Sequence, residues 1–92
     1  HIYAQALVQL IQIYQRRNEL EEMLEYSYLA LALDPYCEMA VKAIVEAHLN
    51  QGNTGIARDK LDTFHTFLHS RLGVEPSKEM HALRKKIIAR EK

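Results

Sequence analysis

Leu31-Ala32-Leu33-Asp34-Pro35-Tyr36-Cys37-Glu38 is the stretch on which the reading of this chain turns. An apolar helical tail runs into Asp34 and Pro35, and a second helical pattern starts at once. Asp34 is placed to cap the following helix by accepting a bond from a free backbone N–H. Pro35 suits the first turn of that helix, where no amide hydrogen is needed and φ is already helical. Helix, sharp turn and helix are therefore expected within eight residues.

Working outward, the segment before this junction reads as two helices. The first spans about Ile2 to Arg17, with Tyr3, Leu7, Leu10 and Tyr14 on one stripe, widened by Ala6 and Ile11. Asn18 breaks it. The second runs from Leu20 to Leu33 and carries Leu20, Met23, Leu24, Ser27, Ala30 and Leu31 on its apolar face. Glu19, Glu21 and Glu22 crowd its start, where carboxylates favour the positive end of the helix dipole.

After the junction, a third helix is expected from Pro35 to Asn50. Ala40, Val41, Ile44, Ala47 and His48 form its stripe, and Val45 and Leu49 widen it, as a helix buried on two sides requires. Gly52 suits the left-handed residue that closes a helix, and Asn53 or Thr54 can cap the next. A fourth helix, Thr54 to Leu72, buries Ala57, Leu61, Phe64 and Leu68, with Leu72 continuing the face. Gly73 stops it, and Val74-Glu75-Pro76 is an extended linker. Ser77 caps a fifth helix with a narrow stripe of Met80, Leu83 and Ile87; Arg84, Lys85, Lys86, Arg90 and Lys92 cover the rest.

The chain repeats itself. Asn18 and Gly52 each end the first helix of a pair and stand 34 residues apart. The same offset carries Leu7 to Val41, Leu10 to Ile44, Ile11 to Val45, Tyr14 to His48 and Met23 to Ala57. Two helices per 34 residues is the tetratricopeptide period. The expected fold is all-α: a tetratricopeptide-like right-handed stack of two helix pairs plus a C-terminal capping helix, one domain over residues 1–92.

Nearly half of the residues are apolar and about a quarter charged, as in an ordinary globular protein. No apolar run reaches the roughly 18–20 residues of a membrane span, so no membrane partner is expected. The net charge of zero hides an asymmetry: residues 1–55 carry three basic and seven acidic residues, and residues 56–92 carry nine and five. Such a division can steer a charged partner or favour head-to-tail contact; a solvated surface is the simpler reading. The single cysteine, Cys37, forms no internal disulfide and reads as a small apolar residue.

Two motifs make the chain resemble a known family, the bacterial transcriptional activator domain of Streptomyces antibiotic regulatory proteins and related regulators. One is Ala30-Leu31-Ala32-Leu33-Asp34-Pro35-Tyr36-Cys37-Glu38; the other is Leu72-Gly73-Val74-Glu75-Pro76-Ser77-Lys78-Glu79. Glu46-Ala47-His48-Leu49-Asn50-Gln51-Gly52 and Ala57 match between them, and the whole covers roughly residues 7–88. Leu61 stands where the family usually has tyrosine, and His48 where an aromatic or leucine is common; both read as changes at the edge of the core. The resemblance implies a helical-repeat module cut from a longer cytoplasmic transcription regulator. There it would act by dimerisation, intramolecular control or partner binding, with DNA bound only through an N-terminal winged helix absent here. The alternative is a free-standing tetratricopeptide adaptor or scaffold that binds peptides.

No residues of an enzyme stand out: the glycines are isolated and no nucleophile turn is present, so neither catalysis nor a cofactor is expected. His65 and His69, four apart on one helix face, are at a spacing that can hold zinc, as in a metal-responsive sensor. Without a companion Cys pair or glutamate motif, an ordinary surface pair is the simpler reading. Arg84, Lys85, Lys86 and Arg90 could bind phosphates, but no aromatics interleave with them. Tyr26, Tyr28 and Tyr36, with Arg84 and Lys85, are the interaction candidates; tyrosines are enriched at interfaces, although they also pack at seams between helices. Stacked pairs curve, and a concave face would suit a peptide or another subunit.

Overall fold

The computed structural model describes residues 2–91, which form five helices: α1 (Ile2–Arg16), α2 (Leu20–Leu33), α3 (Glu38–Asn50), α4 (Thr54–Leu72) and α5 (Lys78–Glu91). Lys92, counted above with the basic face of the fifth helix, lies outside the described residues. The fold is the expected all-α, tetratricopeptide-like one. Helices α1 and α2 pair, as do α3 and α4, and α3 packs against all four others. The molecule is a slab of 35 × 32 × 18 Å, the thickness of two helix layers.

The 34-residue repeat is visible in hydrogen bonds. Glu19 N donates to Tyr14 O (3.0 Å) and Asn18 N to Gln15 O (3.1 Å); one repeat later Asn53 N donates to His48 O (2.8 Å) and Gly52 N to Leu49 O (3.0 Å). Each set is a Schellman closure, with Asn18 (φ 57°) and Gly52 (φ 81°) in the left-handed region. Asparagine tolerates that region because its side chain bonds locally.

The junction folds differently in detail from expectation. Helix α3 begins at Glu38, not Pro35. Asp34 Oδ1 accepts from Tyr36 N (3.0 Å) and Asp34 O accepts from Cys37 N (3.0 Å), so residues 34–37 form a turn. The Asp34 carboxylate is spent inside this turn rather than on the helix beyond it, the known competition between local side-chain bonds and capping. Nor does Asn53 or Thr54 cap α4 through its side chain. Ser77 does cap α5: its Oγ accepts from Met80 N (3.3 Å).

Two apolar clusters flank α3. On one side Ile11, Met23 and Ala30 meet Cys37, just before α3, and Ala40, Ala43 and Ala47 of α3. On the other, Val41, Val45 and Leu49 meet Ala57, Leu61, Phe64 and Leu68 of α4 and Met80, Leu83 and Ile87 of α5. Small residues dominate the side of α3 that meets α1 and α2, and valine and leucine the side that meets α4 and α5. Three sequence expectations are corrected here. The buried line of α1 is Ala4, Leu7, Val8 and Ile11, leaving Tyr3 70 % exposed and Ala6 on the outside. Leu72 is exposed beyond the stripe of α4, and Leu61 is fully buried rather than at the edge of the core.

Candidate interaction groove

The two layers do not close completely. Helices α2 and α4 both pack on α3 but make no close backbone approach to each other. Between them lies a groove of about 570 Å³ with Val41 and Ile44 of α3 as its floor. Tyr28 and Leu31 form the α2 wall, Phe64 and Phe67 the α4 wall, and Pro35 lies at the turn end. The volume falls in the range of ligand and anchor pockets.

Each wall follows from helical spacing. Tyr28, Leu31 and Pro35 recur every three or four residues, as do Ile56, Lys60, Thr63 and Phe67. Lys60 reaches across the mouth, its Nζ 5.3 Å from the centre of the Tyr28 ring, a cation–π contact between the two walls. At the turn end the Tyr36 ring stacks on Phe67 (centroids 5.2 Å apart, planes at 26°), and the Arg71 guanidinium lies 5.6 Å from the Phe67 centroid. Ile56 is 46 % exposed at the other end of the α4 wall. The turn made by Asp34 and Pro35 thus carries Tyr36 to the groove.

The residues singled out from the sequence fall into separate places. Tyr28 lines the groove, and Tyr36 stands beside it, stacked on Phe67 of the α4 wall. Tyr26 lies elsewhere: it stacks on Tyr14 of α1 (5.4 Å, 13°), and the Arg17 guanidinium lies 5.9 Å from the centre of the Tyr14 ring. Its hydroxyl pKa is raised above the ordinary 10.0, first by Tyr14, then by burial and the charge of Glu25.

Arg84 is half-buried and turned onto α4. It donates to Asp62 Oδ1 (2.5 Å) and its Nη2 lies 2.8 Å from His65 Nδ1. Because guanidinium only donates, His65 Nδ1 is the acceptor and the neutral ring carries its proton on Nε2. Burial, then the Arg84 charge, lowers the His65 pKa below 6.5, and Asp62 opposes them. His65 Nε2 is itself buried without a hydrogen-bond partner, whereas His69 is exposed. Among the described residues, no three His, Cys, Asp or Glu side chains gather in a way that could hold a metal.

Lys85 is exposed on α5. Arg90 donates to Leu49 O at the end of α3 (2.7 Å), and Arg58 of α4 pairs with Glu91 (2.7 Å). Of the four basic residues considered for phosphate binding, Arg84 and Arg90 therefore hold α5 in place, leaving Lys85 and Lys86 exposed.

The sequence reasoning missed the α4 wall. Its signal was the second stripe, Ile56-Lys60-Thr63-Phe67, one residue behind the core stripe Ala57-Leu61-Phe64-Leu68. The apolar ends of that second stripe were the sign of a second apolar face.

Among the described residues, no helix is long and apolar enough to cross a membrane. A protein-family profile described as "Bacterial transcriptional activator domain" matches residues 2–88. No curated protein and no solved structure matches the chain.

Proposed function

The chain belongs to the bacterial transcriptional activator domain family, and we propose that it is a regulatory protein-interaction module whose contact surface is the α2–α4 groove. Its work is binding, not catalysis. A helix or loop from a neighbouring domain of the same regulator, or from another protein, seats an apolar side chain between Tyr28 and Phe67. That contact biases a linked DNA-binding domain in the cytoplasm, where the promoter is.

The groove itself carries this reading. It has an apolar floor, aromatic walls and a lysine at its mouth. Among the described residues, Lys60 has only the Tyr28 ring as partner and Asp59 beside it has none, so both charges are available to orient an incoming segment. Filling such a groove removes exposed apolar surface at roughly 25 cal/mol per Å² before ordering costs are subtracted.

The test is Ile56→Asp in the intact regulator. Ile56 is exposed, so the module should keep its thermal stability while promoter output changes several-fold. Unchanged promoter output with the groove mouth charged in this way would sink the proposal.

A further inference from the structure

The α2–α4 groove has a shape and a pattern of charge. Short connections set α3 antiparallel to α2 and to α4, so the two walls run parallel to each other. On the inner side α3 packs on both of them. The outer side of the same notch is the groove, whose α4 wall runs about 22 Å from Ile56 to Arg71. A notch between parallel helices accepts a third helix, as α3 shows from within.

Two cations stand on the α4 rim. Among the described residues, Lys60 has only the Tyr28 ring as partner and Arg71 only the Phe67 ring. Arg17, Arg58, Arg84 and Arg90, by contrast, each reach a carboxylate or a carbonyl. Lys60 and Arg71 are both exposed. An exposed ring contact is weak and gives way to a carboxylate, which accepts charge-assisted hydrogen bonds. Lys60, Thr63, Phe67 and Arg71 follow one another at three, four and four residues, so they form one stripe. Its two cations are 11 residues apart, about 16 Å along the helix. The α2 rim has the opposite sign: Glu21 and Glu25 stand seven and three residues before Tyr28, on its side of the helix.

We infer that the groove takes an amphipathic helix of a partner whose contact stripe reads acid, apolar, apolar, acid at about positions i, i+4, i+7 and i+11. The inference rests on the groove being the contact surface and adds the chemistry of what it holds. Those four positions share one face of a helix, and the span between the outer two reproduces the separation of Lys60 and Arg71. The inner two seat between Tyr28 and Phe67 over the floor of Val41 and Ile44. The outer two exchange ring contacts for ion pairs at Lys60 and Arg71. Glu21 and Glu25 repel the same acids from the α2 wall, which fixes the flank of the partner that lies against each wall. Asp59, one residue and about 100° further round α4 from Lys60, leaves a place for a basic residue on the partner's outer flank. A second copy of this chain is not the occupant, because no two of its acidic residues stand 11 apart.

Fluorescence anisotropy with two labelled peptides of about 18 residues tests it. Both are built of alanine and glutamine with leucine at the two inner stripe positions; one has glutamate at the outer two, the other lysine. The glutamate peptide should bind with a midpoint below about 100 µM, and the lysine peptide about tenfold more weakly. Joint replacement Lys60→Glu and Arg71→Glu, at exposed positions, should leave thermal unfolding unchanged and reverse the preference. Lys85→Glu with Lys86→Glu on α5 makes the same change of net charge away from the groove and should leave the preference as it was. Equal binding of the two peptides overturns the inference, as does a preference for glutamate that survives at Lys60→Glu and Arg71→Glu. A preference reversed equally by the α5 pair overturns it too, by showing attraction to net charge alone. Absence of binding by either peptide up to about 1 mM also overturns it. The groove reading is decided separately, by the promoter output of Ile56→Asp.

Discussion

His65 shows how one side chain ties α4 to α5 and makes the fold sensitive to pH. Its Nδ1 accepts from Arg84, and its Nε2 has no partner. Burial and the Arg84 charge lower its folded pKa below the unfolded 6.5. The unfolded chain therefore takes up the proton first as pH falls. The stability His65 contributes is fully present above about pH 6.5 and is lost as pH falls through the lowered folded value. Urea unfolding of the parent protein and of His65→Gln at about pH 7.5 and about pH 5.5 measures this. The midpoint should fall less on acidification in the variant; equal falls would show that His65 does not contribute. None of this was legible in the sequence, where His65 reads as half of a surface pair with His69. Its partner Arg84 is 19 residues away, and only the return of α5 across α4 brings them together.

At the scale of elements, turn chemistry was the most legible part. Asn18, Gly52 and Gly73 mark three helix ends, and each sits at positive φ because a left-handed residue lets the last carbonyls find donors. Starts were harder to read. Asp34 and Ser77 both look like caps, yet Asp34 turns its carboxylate to Tyr36 N while Ser77 reaches Met80 N. The proline after Asp34 decides the difference, since it fixes a turn before the helix begins. Ser77 has a further duty: its hydroxyl donates to Glu38 Oε2 (2.8 Å), fastening the start of α5 to the start of α3. Ser77→Ala should cost about 1–2 kcal/mol, by loss of a cap and of a charge-assisted bond. Ser70→Ala removes only an exposed bond to Phe67 O and should cost less than about 0.5 kcal/mol. Urea midpoints for the two variants check the ranking, and equal losses would remove Ser77 as a fastening point.

Across the whole molecule, α3 is the shared wall, which the sequence foretold from its wide apolar arc. The space between α2 and α4 was not foretold, because hydrophobic period reports which residues are covered, not how far apart two covering helices stand. The shared wall has a thermodynamic consequence. Ala40, Ala43 and Ala47 belong to one cluster and Val41, Val45 and Leu49 to the other, and all six sit on one helix. Neither cluster can lose its packing without exposing a face of α3, so the two should unfold together. Ile11→Ala in the first cluster and Leu61→Ala in the second, both fully buried, should each cost about 2–5 kcal/mol. That is a large part of the roughly 5–15 kcal/mol expected of such a fold. In both variants, made with Tyr3, Tyr28 and Tyr36 replaced by Phe so that Tyr14 and Tyr26 give the tyrosine signal, two signals should move as one: near-ultraviolet dichroism from the Tyr14–Tyr26 stack, which then reports the first pair, and far-ultraviolet dichroism, which reports all five helices. If Ile11→Ala shifts the tyrosine signal to lower urea while the far-ultraviolet signal stays behind, the α1–α2 pair unfolds by itself. In that case α3 is held by α4 and α5 alone.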